Sequence, residues 1–167
     1  FTSKLFIFTH YKYCKLNSNY FINKILFTMN YLYGEDIDEL FEKRKIRYEL
    51  SNNTNRLRFI YVDDKLFATI RSNGTYALTI HGANILINYS DYMRNCVMIK
   101  NDVEQFIKVG GSVFNKHIID AGKNVLPDSE AIIVNENKKV IGVGKALTSN
   151  DIMKKSNKGA AIKVRHI

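Results

Sequence analysis

The feature that most constrains the fold is a run of five short β-prone segments in about the last 75 residues, at 96–99, 116–120, 130–135, 139–147 and 160–166. Only turns and two short helical stretches separate them. Strands this short and closely spaced predict a small closed or half-closed barrel. Asn101 followed by Glu104 reads as a capping box, and Val103, Phe106 and Ile107 read as the buried stripe of a two-turn helix that Gly110 ends. A second short helix is expected over 151–155. Pro127, the one proline, sits in N-V-L-P-D-S-E and marks a turn.

Upstream the pattern differs. Ile37, Leu40 and Phe41 fall at i, i+3 and i+4, which predicts a helix over 36–45, with Glu35 and Asp36 favouring its start. Runs at 57–62, 66–71 and 76–80, separated by Asp63-Asp64-Lys65 and Ser72-Asn73-Gly74, predict an antiparallel meander. A helix over 82–89 follows, with Ala83, Leu86 and Ile87 on its apolar face. The polar stretch 91–94 is the best candidate for a boundary. The fold class expected is therefore α+β: a small antiparallel sheet domain with helices over 29–92, then a barrel over 93–167. Residues 1–28 carry no Asp or Glu and stand apart as an N-terminal extension, with Met29 a candidate true start. The rival reading makes 20–28 an amphipathic element packed on the next domain, with Phe21, Ile25 and Leu26 inward.

Charge narrows the functional classes. The chain of 167 residues has a net charge of +9. Residues 1–28 contribute +4, residues 29–92 contribute −1 and residues 93–167 contribute +6. A basic C-terminal part is the electrostatic footprint of a nucleic-acid partner. Cys14 and Cys96 are too far apart for a local metal motif, and the four histidines form no H-x-x-x-H pair, so neither a zinc site nor any cofactor is expected. No apolar run approaches 18 residues and the amino terminus makes a poor signal peptide, so the expected setting is cytoplasmic, with no membrane partner. The paired acids Asp63-Asp64 and Glu35-Asp36 read as a turn and a helix start. No catalytic residue is assigned.

The candidate site is the stretch Gly110-Gly111-Ser112-Val113-Phe114-Asn115-Lys116 with the basic final strand. Glycine amides after a helix can face a phosphate, although a helix C-cap explains two glycines equally well. Lys108, Lys116 and Lys145 would surround that turn with positive charge. On the last strand Lys163, Arg165 and Ile167 are expected on one side, making an RNA groove if that side meets the turn and an aggregation-resistant edge if it does not.

The runs G-G-S-V-F-N-K-H-I-I-D-A, P-D-S-E-A-I-I-V-N-E, V-I-G-V-G-K-A-L-T-S-N-D-I-M and K-G-A-A-I-K-V-R-H resemble the PUA domain of archaeal tRNA-guanine transglycosylases, which start archaeosine synthesis. Upstream, M-N-Y-L-Y-G, R-L-R-F-I-Y-V-D-D-K-L-F-A-T-I-R and Y-A-L-T-I-H-G-A are similar to the domain that precedes PUA there, so the resemblance covers about 29–167. Archaeosine synthase shares this tail arrangement. The resemblance implies a PUA-like β-barrel that holds the acceptor stem and 3′ end of tRNA through Lys108, Gly110, Gly111, Ser112, Phe114, Lys116 and Lys163 to Arg165. His117 stands where the family usually has a bulky apolar residue. The large barrel that carries the family's aspartates and zinc site has no counterpart in these residues. The expected function is thus a non-catalytic tRNA-binding subunit or accessory chain for a separate catalytic transglycosylase-like protein. The alternatives are a protein-interaction module with PUA as scaffold, or an accessory chain of another RNA-modification enzyme.

Overall fold

The computed structural model describes residues 20–167. The first helix, α1 (Tyr20–Tyr33), turns Ile25, Met29 and Tyr33 into the core. A single 3-10 turn, Ile37–Phe41, leads to a four-stranded antiparallel sheet of order β1-β2-β3-β4: β1 (Ile46–Leu50), β2 (Leu57–Val62), β3 (Lys65–Ile70) and β4 (Tyr76–Leu78). Next comes α2 (Ile80–Leu86), whose N-cap Thr79 accepts a hydrogen bond from the Gly82 amide through its side chain. The meander is as expected, but the helix over 36–45 is not. Only Ile37–Phe41 is helical, and 46–50 is a strand whose alternation of Ile46, Tyr48 and Leu50 with Arg47 and Glu49 has the two-residue period of a sheet face. The residue 28/29 division falls inside α1, and Ile25 and Met29 are both fully buried, so 20–28 pack as the amphipathic reading required. Residues 1–19 of the expected extension lie outside the described residues.

The second sheet has six strands in the order β6-β10-β9-β8-β5-β7: β5 (Cys96–Ile99), β6 (Ser112–Phe114), β7 (Ile118–Ala121), β8 (Glu130–Asn135), β9 (Val140–Ala146) and β10 (Ala160–His166), with α3 (Asn150–Lys155) before the last. All its pairings are antiparallel except β5 with β8. The strands β6 and β7 lie at opposite ends of this order, yet only Asn115–His117 separate them in sequence. Three residues span at most about 10 Å, so the sheet must curl until its edges approach, giving a half-barrel.

The helix expected after β5 is instead a 3-10 segment, Asn101–Phe106. Its capping box does not form. The Asn101 side chain accepts from the Glu136 amide, while the Glu104 carboxylate accepts from Asn135 Nδ2 and Lys139 Nζ. Of the expected stripe, Val103 is buried and Ile107 half-buried, but Phe106 is exposed. Gly110 therefore lies in a turn beyond the helix rather than at its end.

Strand β8 ties the molecule together. Every residue from Glu130 to Asn135 is buried, but on two different faces. Ala131 and Ile133 join Val97, Ile99, Ala161 and Ile162 in the half-barrel's interior. Ile132 and Val134 join Cys96, Val140 and Val143 in a second cluster, filled from the N-terminal half by Phe67, Tyr76, Leu78, Ile85 and α1. The run A-I-I-V is continuously apolar because both of its faces are covered. Burying Ile132 alone stabilises by about 1.5–3 kcal/mol.

Candidate nucleic-acid interface

Register places the site. Across β6, β10 and β9, Ser112 lies opposite Lys163 and Lys163 opposite Lys145. Directly opposed residues project from the same face of a sheet, so Ser112, Lys163 and Lys145 form one outward row. Phe114, two residues from Ser112, shares its face and is 47% exposed, while Val113 between them points into the core. Lys108 stands beside this row, because its carbonyl accepts the Gly111 amide at 2.9 Å and Gly111 in turn accepts the Val164 amide at 3.0 Å. Lys116 follows Phe114 in the short 3-10 turn and is exposed. Gly144 on β9 lets β10 approach closely, since a Cβ there would collide with the Lys163 carbonyl.

Two parts of the sequence reading are corrected. The glycine amides do not face an anion. The Gly110 amide donates to the Val164 carbonyl at 2.9 Å and the Gly111 amide is spent on Lys108, so neither is free for a phosphate. Gly110, at φ 76°, instead makes the left-handed bend that swings the chain onto β10. The second correction is Arg165. A register shift between Val164 and His166 accompanies its turn away from Lys163. Its guanidinium donates to both carboxylate oxygens of Glu130 and to the Leu78 carbonyl. The two-sided alternation expected for the final strand holds for Lys163 and Val164 and breaks at Arg165.

Glu130 is the centre of a junction that sequence reasoning missed. Its side chain is 4% exposed and also accepts from Arg71 Nη2 at 2.5 Å and from the Leu78 amide at 3.0 Å. One carboxylate thus holds two arginines, one from each half of the molecule. The only sequence signal was an acid opening an otherwise apolar strand. Beside it, burial first and the Glu130 carboxylate second hold the Tyr33 hydroxyl well above the usual tyrosine range, so it stays protonated. Lys145 is intermediate: it is half exposed and paired with Asp128 at 2.5 Å. His117 is half-buried, and its carbonyl accepts the Lys100 amide. Burial pushes the Cys96 thiol up to about 12, which removes it as a nucleophile at neutral pH. Among the described residues no cluster of three or more metal-ligating side chains occurs, and no helix is long and apolar enough to cross a membrane.

A curled six-stranded half-barrel with a lysine-bearing outer row, packed on a four-stranded sheet, defines the class. Residues 95–167 match the PUA domain. Residues 23–92 match the patch-forming domain C2 of tRNA-guanine transglycosylase, so the chain resembles the C-terminal region of the archaeal members of that family. It is 34% identical over 144 residues to tRNA-guanine(15) transglycosylase of Thermoplasma volcanium, covering 86% of this chain and 23% of the relative. The same figures for the Methanothermobacter thermautotrophicus enzyme are 34%, 86% and 22%. The chain spans less than a quarter of the length of these relatives. Among solved structures, a hypothetical protein of Pyrococcus horikoshii superposes with a TM-score of 0.68 at 23% identity, covering 87% of this chain and 89% of that one. A conserved PUA domain protein of Thermoplasma acidophilum gives 0.64 at 16%, covering 87% of each. Both show that the two-part fold recurs.

Proposed function

We propose that the chain is a non-catalytic tRNA-binding protein of the cytoplasm, the RNA-binding subunit or accessory chain of a tRNA-modifying transglycosylase of the archaeosine pathway. The half-barrel grips the acceptor stem and 3′ end, and a separate catalytic protein acts on the RNA so held. The observation that carries this reading is the row Ser112, Lys163 and Lys145 with Phe114, Lys108 and Lys116 beside it, in a chain whose matched relatives are tRNA-guanine transglycosylases. Lysines on one sheet face neutralise phosphates, and an exposed phenylalanine among them offers a stacking surface for an unpaired base. Gly110 and Gly111 serve by shaping the turn. Arg165 serves by holding β10 against Glu130.

Filter binding of a tRNA transcript across 50–200 mM salt tests the proposal. Each phosphate contacted should steepen the salt dependence by about 0.7–0.9 in log–log slope. Undetectable affinity at the lowest salt, or affinity indifferent to salt, overturns it. A second reading, a protein-docking module with PUA as scaffold, is favoured by one observation: Tyr20, Phe27 and Tyr31 are exposed along one face of α1. Substituting Lys116 and Lys163 by Glu separates the two, since RNA binding is lost under the first reading and retained under the second.

A further inference from the structure

A second basic surface lies away from the lysine row, on the N-terminal half. The turns β1–β2 and β3–β4 emerge at the same end of the first sheet and face the start of α1, enclosing a cleft of about 710 Å³. The β1–β2 turn is fixed by hydrogen bonds from the Ser51 amide to the Arg56 carbonyl at 2.8 Å and from the Asn55 amide to the Ser51 carbonyl at 2.9 Å. It delivers Arg56 and, two residues on, Arg58. Lys24 comes from α1 and Arg71 from the end of β3, while Tyr20 and Phe21 form the aromatic wall. Their ring centroids are 5.2 Å apart and Tyr20 is 71% exposed.

The lining holds four cations and no carboxylate. Among the described residues Lys24, Arg56 and Arg58 make no ion pair with an acid. Arg71 does, with Glu130, but Glu130 also binds Arg165, so that triad keeps one net positive charge. Arginines beside the exposed Tyr20 ring and the half-buried Phe21 ring, which also packs on Tyr48, suit alternating phosphates and bases, the pattern of single-strand binding platforms. The cleft meets the half-barrel through Arg71, whose guanidinium donates to Glu130 on β8. Glu130 is opposite Lys145 on β9, and Lys145 is opposite Lys163 on β10. Two strand spacings of about 4.8 Å separate Lys163 from the strand whose Glu130 holds Arg71.

We propose that this cleft is a second RNA-contact site, taking a single-stranded segment whose phosphates meet Lys24, Arg56 and Arg58 and whose bases stack on Tyr20 and Phe21. The inference rests on the RNA-binding reading of the half-barrel and extends it. The test compares the full chain with two double variants, Arg56→Glu with Arg58→Glu in the cleft and Lys116→Glu with Lys163→Glu on the half-barrel. The probe is a tRNA transcript titrated at several salt concentrations. The cleft variant should bind at least fivefold more weakly, with a salt slope shallower by about 1.4. Unchanged affinity and slope in the cleft variant, with the half-barrel variant weakened, overturns the cleft and leaves that surface to a partner of another class. Weakening by the cleft variant alone upholds the cleft and removes the half-barrel reading, and no RNA binding by the parent chain removes both. A second measurement needs no substitution: a 4-thiouridine-bearing oligouridine 12-mer photo-crosslinked to the parent chain should label peptides containing Tyr20 and Phe21, and labelling confined to half-barrel peptides overturns the proposal.

Discussion

Lys163 and Arg165 stand two residues apart on one strand, but they belong to different parts of the molecule. Lys163 faces outward with Ser112 on one side and Lys145 on the other. Arg165, three-quarters buried, is locked against Glu130 and the Leu78 carbonyl at the junction of the two sheets. The open face holds charges in a high dielectric, where each is worth little to stability and is available to a ligand. The junction holds charges where desolvation is costly and every polar atom needs a partner. A cation's sign says nothing about which regime it occupies; its partners decide.

That difference is broken most severely at Glu130. Substituting Glu130 by Gln leaves Arg71 and Arg165 confronting each other without a carboxylate, and loss of one partner of a buried ion pair costs about 3–5 kcal/mol. Urea unfolding should show the loss as a lowered midpoint with an unchanged slope. A cost below about 1 kcal/mol would mean that the junction is solvated and that Arg165 belongs with the open face after all. Lys116→Glu with Lys163→Glu should do the reverse. Stability should stay within about 0.5 kcal/mol of the parent, as for ordinary surface changes. Affinity for tRNA should fall and its salt slope should lose about 1.5. A change in stability with no change in affinity would transfer these lysines to the structural class.

Why one cation was legible from sequence and the other was not follows from where their partners lie. The strands over 57–62, 96–99, 130–135 and 160–166 could be read because alternation and apolar runs are local. Strand β1 carries a two-residue alternation, but it is only five residues long and directly follows the i, i+3, i+4 spacing of Ile37, Leu40 and Phe41, whose helical period masks it. Strand β6 has three residues behind two glycines, too short for a period to show. The fate of Arg165 was not local at all: it depends on Glu130, 35 residues earlier, on Leu78, 87 residues earlier, and on a register shift within its own strand. The same holds for the glycine turn. G-G-S correctly marked a bend, but whether its amides face outward or bond to Val164 and Lys108 is settled by how β10 returns alongside it.

Lys145 lies between the two regimes, and it can be moved. Asp128, 77% exposed, holds its ammonium at 2.5 Å from the outer row. Replacing Asp128 by Asn frees that lysine for a phosphate and removes a negative charge that repels one. Affinity for tRNA should rise two- to threefold at low salt, equivalent to about 0.5 kcal/mol, and stability should change by no more than an exposed pair contributes. Equal affinities would place Lys145 outside the RNA footprint.

The smallest effect distinguishes exposed pairs from the junction by pH. The Lys154 ammonium, 2.7 Å away, holds the Asp120 carboxyl below the usual range, with the Ala121 amide assisting and partial burial opposing. A carboxylate with a depressed folded pKa contributes stability that is complete above its unfolded value, about 3.9, and is lost as pH falls through the lower folded value. Both side chains are about half exposed, 51% for Asp120 and 44% for Lys154, so solvent screening limits the contribution to a few tenths of a kcal/mol. Thermal unfolding of the parent and of Lys154→Met should differ slightly at pH 6 and converge as pH falls through the lowered folded value of Asp120, and added salt should shrink the difference at pH 6. A gap that persists unchanged through that fall would show that Lys154 acts through the packing of its stem on β7 and not through its charge.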